Sequence, residues 1–598
     1  MKIIIFALIP LILSIGLAPA LPFIDAFESS IVCNNDQILV QRSTNEKFAC
    51  VNYDTAQKWV KSGFATSLDK QLKEESSFEI IPTANGQTLQ KPNIIVIMGD
   101  DVGWLNIGAY HRGLMKHTTP NIDQMASDGM IFTDYYADPS CTAGRASFAM
   151  GQLPIRVGLT TVGQAGVDHG IPDGAPTIGT IFQSMDYATG QFGKNHFGDL
   201  NKYLPTVHGF DEFYGYLYHL NAMEDPHQVN YPDELNTIFG PRNILHTWAS
   251  DVDDSTVDDR WGKVGKQIIE DDGALPPERM KNIDREILGH ATNFMDEALK
   301  DDKSFFVWLN PSRVHTNTHL NDYYEGLRNS ENGWSVSEAA HKEFDDTVGA
   351  VLEYLDKNNL TDNTIVIVTA DNGAESWTWP DGAQTPFADS KGSFMEGGMR
   401  VPLIMKWPGH IPTGIVENGI MSHLDMLPTL VAAAGNPNIV KELKEGKTIN
   451  GEYYKVHLDG YNQIPMITGE DESNRNEIYY FAGTKFAAVR VDDYKYRFLD
   501  WPDGLFGSTV TLNLPSIVNL RLDPLEKTRV AWENTDASSS SFQAFEWYFA
   551  ESWRFVVAQD QMTKLAKTFV EFPPLQGSAS FDVKDAMEKA KNVSEMHK

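Results

Sequence analysis

Continuous apolar runs alternate along this chain with stretches whose apolar positions recur every three or four residues, and the alternation predicts strands interleaved with helices. Asn93-Ile94-Ile95-Val96-Ile97-Met98 is β-branched and has no polar face beyond its first residue, the composition of a strand covered on both sides. The same grammar returns at Phe305-Phe306-Val307-Trp308-Leu309, Thr364-Ile365-Val366-Ile367-Val368 and Pro402-Leu403-Ile404-Met405. Between these runs, Ile283 to Leu299 and His341 to Leu355 carry the amphipathic period of helices. Such a chain folds as an α/β layer structure around a large, mostly parallel central sheet flanked by helices. Beyond about Asn436 the pattern loosens. Ile478-Tyr479-Tyr480-Phe481, Ala487-Ala488-Val489-Arg490-Val491 and Lys495-Tyr496-Arg497-Phe498 predict a smaller antiparallel sheet, and Ala544 to Phe569 and Val583 to Lys591 predict helices. We therefore expect a main domain over 92–435 and a C-terminal subdomain over 436–598.

The first residues follow other rules. From Met1 to Ala20 the chain is apolar, with Lys2 before the run and Ala18-Pro19-Ala20 at its end, which reads as a secretory signal. An uncleaved anchor is the competing reading, because the run approaches the length that spans a bilayer. No comparable run follows, so no integral membrane domain is expected, and the protein is expected to be secreted, periplasmic or on the cell surface. Cys33 and Cys50 fall within 27–67, where a disulfide would stabilise a module too small to bury much core. The polar stretch 68–91 reads as a linker.

Charge narrows the choice of partner. The chain holds 81 acidic and 49 basic residues, a formal net charge of −32, which argues against a nucleic-acid surface. Its three cysteines leave Cys141 without a mate. An exported thiol of this kind is either buried and inert or kept for its chemistry. Arg145 stands four residues later in Cys141-Thr142-Ala143-Gly144-Arg145, on the same face if the segment is helical.

Ligands of parallel sheets gather beyond the carboxyl ends of the strands. Three of the four apolar runs end there in polar groups: Asp100-Asp101, Asn310 leading to His315, and Asp371-Asn372. The Asp-Asp and Asp-Asn pairs form an oxygen-only set that suits calcium or magnesium and is poor for zinc. Each pair alone is also what loops and helix caps use. Gly193-Lys194-Asn195-His196-Phe197-Gly198 sets a cation and an imidazole two apart between glycines, and Lys391 lies in Ser390-Lys391-Gly392-Ser393. Singly, each of these is a commonplace surface or structural feature.

In this order, the residues together resemble the sulfatase family of the alkaline-phosphatase-like superfamily. Asp100-Asp101 looks like the paired metal aspartates, and Cys141-Thr142-Ala143-Gly144-Arg145 like the Cys-x-(Pro or Ala)-x-Arg signature. Gly193 to Gly198 resembles the Gly-Lys-x-His-x-Gly element, with His315, Asp371-Asn372-Gly373 and Lys391-Gly392 following, so that the likeness covers roughly Pro92 to Gly409. The resemblance implies the alkaline-phosphatase-like fold and a sulfuric ester hydrolase of arylsulfatase type. It implies that a maturation enzyme oxidises Cys141 to formylglycine, whose hydrate attacks sulfur and then expels sulfate. One divalent cation, Ca2+ in preference to Mg2+, would be held by Asp100, Asp101, Asp371, Asn372 and residue 141. Lys194 and Lys391 would hold the sulfate and Arg145 the hydrate; His315 would act with Lys391 on the leaving group and His196 in elimination.

The chain departs from the commoner signature at Ala143, where proline is usual, at Gly144, where serine is usual, and at Ser147-Phe148-Ala149-Met150-Gly151, where Leu-Leu-Thr-Gly is usual. The usual His-x-Pro is missing after His315, which makes His319 a rival. A phosphodiesterase or phosphonate monoester hydrolase of the same superfamily, and a silent binding protein with unmodified Cys141, are the alternatives. The substrate, a small or carbohydrate sulfate ester, would be selected by 217–233 and 377–389, where Trp377 and Trp379 either stack on a ring or pack.

Overall fold

The structure, a computed structural model, describes residues 37–42, 48–52, 55, 65–67, 91–161, 165, 167–378, 380–501, 507–528 and 539–578. The chain divides into two units, Met1–Ser76 and Ser77–Lys598. In the first, strands β1 (Gln37–Arg42), β2 (Phe48–Asn52) and β3 (Ala65–Ser67) form an antiparallel sheet with β1 in the middle. Cys50 lies on β2 opposite Leu39. The signal segment, Cys33 and with it the expected disulfide, and linker residues 68–90 lie outside the described residues.

In the second unit the apolar runs become the middle of a ten-stranded sheet. Its strands are β4 (Asn93–Gly99), β5 (Met130–Phe132), β7 (Ala188–Gly193), β8 (Glu212–Gly215), β9 (Leu245–Asp258), β10 (Gly262–Asp271), β11 (Phe305–Asn310), β12 (Thr364–Ala370), β13 (Leu403–Lys406) and β14 (Ile415–Glu417). Their spatial order is β10-β9-β8-β7-β11-β4-β12-β13-β5-β14. Between β5 and β7 in sequence, β6 (Tyr135–Tyr136) leaves this sheet to pair with β15 (Met421–Ser422). The five neighbours from β8 to β12 are all parallel. The flanks turn antiparallel, at β9 and β10 on one side and at β13 on the other. Thus the Pro402–Met405 run, which has the composition of its parallel neighbours, runs against β12: continuous apolarity reports burial on two faces, not strand direction.

β4, β11 and β12 are buried throughout. Helix α1 (Pro120–Ser127) packs on β13, α2 (Cys141–Met150) leads away from the strand ends, and α3 (Ile178–Ser184) covers β7. Helix α4 (Ile283–Lys300) packs across β7, β11 and β8 with Ile283, Ile287, Ala291, Phe294, Met295 and Ala298 buried, each large apolar side chain contributing roughly 1.5–3 kcal/mol. Helix α5 (Val336–Lys357) begins earlier than its apolar period, because Ser335 and Glu338 close a reciprocal capping box at its start.

In the C-terminal part, β16 (Lys447–Ile449) and β17 (Glu452–Tyr454) form a hairpin, and β18 (Glu477–Ala482), β19 (Lys485–Val491), β20 (Tyr494–Asp500) and β21 (Val510–Asn519) form the expected antiparallel sheet. The helix expected over Ala544 to Phe569 is two, α6 (Ser539–Glu551) and α7 (Phe555–Glu571), joined by a tighter turn at Ser552–Arg554. There the Ser552 hydroxyl donates to the Phe549 carbonyl and the Arg554 guanidinium lies 4.0 Å from the Tyr494 ring centre. Val583 to Lys591 lies outside the described residues. Among the described residues no helix is long and apolar enough to cross a membrane.

Candidate active site

Parallel register brings the polar strand ends to one edge. Gly99 pairs with Ala370, Leu309 with Ile97 and Asn310 with Gly193, so Asp100, Asp371 and Lys194 each leave the sheet at the same level. At Gly193, with φ +103°, a Cβ would sit 1.9 Å from the Asn310 carbonyl oxygen, so only glycine lets β7 turn here. Asp101 and His196, neither of them glycine, have φ of +68° and +73°. Left-handed backbone at non-glycine residues costs free energy, and here it aims two polar side chains at the strand ends.

Helix α2 begins at Cys141, so its unsatisfied amide groups and positive dipole end lie at the site. Gly144 stands where the commoner signature has serine, and a Cβ there would lie 1.7 Å from the Asp371 carbonyl oxygen; glycine is what seats α2 against the end of β12. Cys141 is 1 % exposed, and burial raises its thiol pKa, opposed by Lys194 and Lys391. The unmodified side chain is a protonated thiol at neutral pH.

The charges around it are wholly buried and paired. Lys194 donates to both oxygens of Asp100, at 2.8 and 3.1 Å. Lys391 donates to Asp101 Oδ1 at 2.5 Å, and Asn372 Nδ2 donates to the same oxygen at 2.8 Å. Arg145 places Nε and Nη2 on Asp371 Oδ2 at 3.0 and 2.9 Å, and its Nη1 donates to Asn310 Oδ1 at 2.6 Å. Burial works against each cation, yet Asp100 holds Lys194, Asp371 holds Arg145 and Asp101 holds Lys391 above their ordinary pKa values. All three therefore stay charged.

Two oxygens of this cluster are left over. Asp101 Oδ2 and Asn372 Oδ1 are buried without a hydrogen-bond partner among the described residues. An orphaned buried acceptor costs about 1–3 kcal/mol unless something satisfies it. The donor atoms of Asp100, Asp101 and His315 lie within 4.8 Å of one another. Carboxylate and amide oxygens facing inward without donors fit a hard divalent cation.

Three imidazoles gather beside these carboxylates. His315 Nε2 lies 3.9 Å from Asp101 Oδ2, and its ring stacks parallel to His219 at 5.8 Å. His219 also meets His196 edge to face at 5.9 Å, and both nitrogens of His196 are buried without a partner. Burial and then Lys194 hold His196 well below its ordinary pKa, and burial and then Lys391 do the same for His315. Burial lowers His219 to about 3. The rival His319 is elsewhere: its Nε2 pairs with Glu224 at 3.0 Å, and its side chain is 30 % exposed.

All the strand-end residues and Cys141, Arg145, Lys194, His196, His315 and Lys391 thus meet, while His319 does not. Sequence reasoning missed His219. Its Nδ1 accepts the Ala222 amide at 3.2 Å, which leaves the ring proton on Nε2 as a donor. Glu375, also missed, is pushed up to about 7 by burial and receives the amide of Trp377. Trp377 is half exposed at the rim, 5.8 Å from Lys391 Nζ; Trp379 lies outside the described residues.

Known proteins resemble this chain along most of its length. The sulfatase family model matches residues 92–436. The chain is 28 % identical over 483 residues to N-acetylgalactosamine-6-sulfatase of Canis lupus familiaris, covering 75 % of this chain and 83 % of that one. It is 29 % identical over 417 residues to human arylsulfatase A, covering 68 % and 75 %. Among solved structures, PsFucS1 sulfatase from Pseudoalteromonas sp. superposes with a TM-score of 0.68 at 24 % identity, covering 90 % of this chain and 99 % of that one. Ps i-CgsB in complex with k-i-k-neocarrahexaose superposes at 0.60 with 25 % identity, covering 83 % and 96 %. The chain belongs to the sulfatase family and is a sulfuric ester hydrolase with the alkaline-phosphatase-like fold.

Proposed function

We propose that this chain hydrolyses the sulfate ester of a carbohydrate through a nucleophile derived from Cys141. The observation that carries the reading is the set of cations, Lys194, Lys391 and Arg145, gathered with orphaned oxygens at the start of α2. A protonated, buried thiol is a poor nucleophile and gives these groups nothing to act on. A formylglycine at 141 supplies an oxygen nucleophile, and a divalent cation on Asp100, Asp101, Asp371 and Asn372, calcium in preference to magnesium for an oxygen-only set, supplies Lewis acidity. Because Cys141 is 1 % exposed, a maturation enzyme reaches it before the chain folds.

The remaining steps fall to residues of the chain. Lys194 and Lys391 bind the non-bridging sulfate oxygens and offset the charge that builds on the departing one. Arg145, fixed by Asp371 and Asn310, orients the side chain of residue 141. His315, with Lys391, stabilises the leaving oxygen. His196 is held neutral by burial and neighbouring cations, so its free nitrogen can take the proton whose loss releases sulfate. His219 packs its ring against both His315 and His196 and so fixes the placement of the two imidazoles.

We assign catalysis to 92–435, with 436–598 as a supporting subdomain, 27–67 as a separate module, and export directed by 1–20. A carbohydrate substrate is supported by the hexaose in the complex of the similar Ps i-CgsB and by half-exposed Trp377 at the rim, a face for a sugar ring. The test is peptide mass spectrometry across Cys141 with aldehyde trapping, beside turnover of sulfated oligosaccharides and matched phosphate diesters. An aldehyde with sulfate release is expected. An intact thiol in active native protein overturns the nucleophile, and preference for the diester overturns the substrate class.

A further inference from the structure

A second group of metal-ligating side chains lies outside the strand-end site. Glu212 is on β8, His246 on β9 and His290 on α4, and one donor atom from each falls within 4.8 Å of the other two. The sheet register explains the meeting. Glu212 faces Trp248 and Tyr214 faces His246 across the antiparallel pair, so the side chains of all four share one face of the sheet. Helix α4 packs on that face; Glu286 and His290 are four apart on one stripe, and Glu286 accepts the Tyr214 hydroxyl at 3.0 Å.

Both imidazoles are held by aromatic walls. His290 stacks on Tyr214 at 3.6 Å between ring centres with 14° between planes, and His246 lies 3.8 Å from Trp248. Their own rings cross edge to face at 4.7 Å. His246 Nε2 lies 2.7 Å from Glu212 Oε1. Side-chain exposures of 18 % and 19 % at His246 and Glu212 leave water an open approach.

We propose that Glu212, His246 and His290 bind a second divalent metal, of the borderline class represented by Zn2+, with solvent in the fourth position. Two imidazoles and one carboxylate from three separate elements are a zinc-type donor set, unlike the oxygen-rich set at Asp100 and Asp371. Bonds of about 2.1 Å in a tetrahedron separate donor atoms by roughly 3.4 Å, which small rotations of these side chains reach. Such an ion ties the β9–β10 hairpin and α4 to β8, whose far end leads to Tyr216 and His219.

The test uses the full chain, saturated with Ca2+ and stripped of transition metals, titrated with Zn2+ by calorimetry and with Co2+ by visible absorption. One equivalent of Zn2+ and the bands of four-coordinate Co2+ are expected. His290→Asn and His246→Gln are each expected to weaken Zn2+ binding by about 100-fold, with sulfate-ester turnover unchanged. Glu212→Gln, which keeps the side-chain volume, serves where a histidine variant fails to fold. No Zn2+ bound to the Ca2+-saturated chain, or Zn2+ affinity unchanged in the folded variants, overturns the proposal. Zn2+ binding lost only in Asp101→Asn would move the ion to the strand ends and overturn it equally.

Discussion

Two buried arginine–aspartate pairs in this molecule are built from the same residue types and do different work. Arg475 meets Asp425 as a fork, Nε to Oδ2 at 2.9 Å and Nη2 to Oδ1 at 2.7 Å. The amides of Ser422 and Tyr461 take one further position on each oxygen. Arg145 instead crowds Nε and Nη2 onto Oδ2 of Asp371. The other oxygen, Oδ1, has among the described residues the Asp101 amide at 3.2 Å, beside the orphaned Asp101 Oδ2 and Asn372 Oδ1. Both pairs are shielded from water. Burial alone therefore does not mark a functional charge; unspent hydrogen-bonding capacity gathered on neighbouring groups at one sheet edge does.

Substitutions should separate the two. Cys141→Ala, beside the unsaturated pair, is expected to lower sulfate-ester turnover by at least about 10⁴-fold while the thermal midpoint stays near that of the wild type. A residual rate within tenfold of wild type would remove Cys141 from the chemistry. Arg475→Ala leaves Asp425 buried and uncompensated, and should cost about 3–5 kcal/mol of stability by urea denaturation, with turnover per folded molecule unchanged. If turnover fell as far as stability, the saturated pair would belong to the site.

Metal withdrawal sharpens the contrast further. Chelation should abolish turnover, and Ca2+ at 100 times its dissociation constant should stabilise the protein by about 2.7 kcal/mol. That increment should vanish in Asp371→Asn and survive in Asp425→Asn, although the second variant starts less stable. Equal increments in both would mean that Asp371 is no ligand.

How far this site could be read from the chain follows from the same physics. β4, β11 and β12 announce themselves because strands buried on two faces are predominantly apolar, and the polar residues directly after them then stand out. Cys141, Arg145, Lys194 and Lys391 are carried by short local motifs and were equally visible. His219 is not, since it reaches His196 and His315 through the path of the chain after β8 rather than through any spacing. The β9–β10 hairpin was invisible for another reason: most of β9 is exposed and polar, without apolar alternation, and its pairing with β8 rests on a few buried positions such as Leu245 and Thr247. The Ser335–Glu338 capping box was present in the sequence and would have moved the start of α5 to its observed place.

His423 joins the two pairs and gives the smallest of the expected effects. It opens the short turn that presents Asp425, and its Nδ1–H donates to the Gly144 carbonyl at 3.0 Å, one residue from Arg145. Burial holds it at about 4, against the pull of that hydrogen bond. Between pH 6.5 and 4 the unfolded chain takes up a proton at this residue and the folded chain does not, so stability falls as pH falls through that window and is unaffected above it. The slope is about 1.4 kcal/mol per pH unit, or about 2 kcal/mol at pH 5. Urea denaturation of wild type and His423→Gln at pH 7 and pH 5 reads it directly: the variant should lose about 2 kcal/mol less than the wild type between the two. Equal losses would mean that His423 is protonated in the folded state. The imidazolium would then keep its bond to Gly144, and the link between the two pairs would carry a charge that neither aspartate was placed to meet.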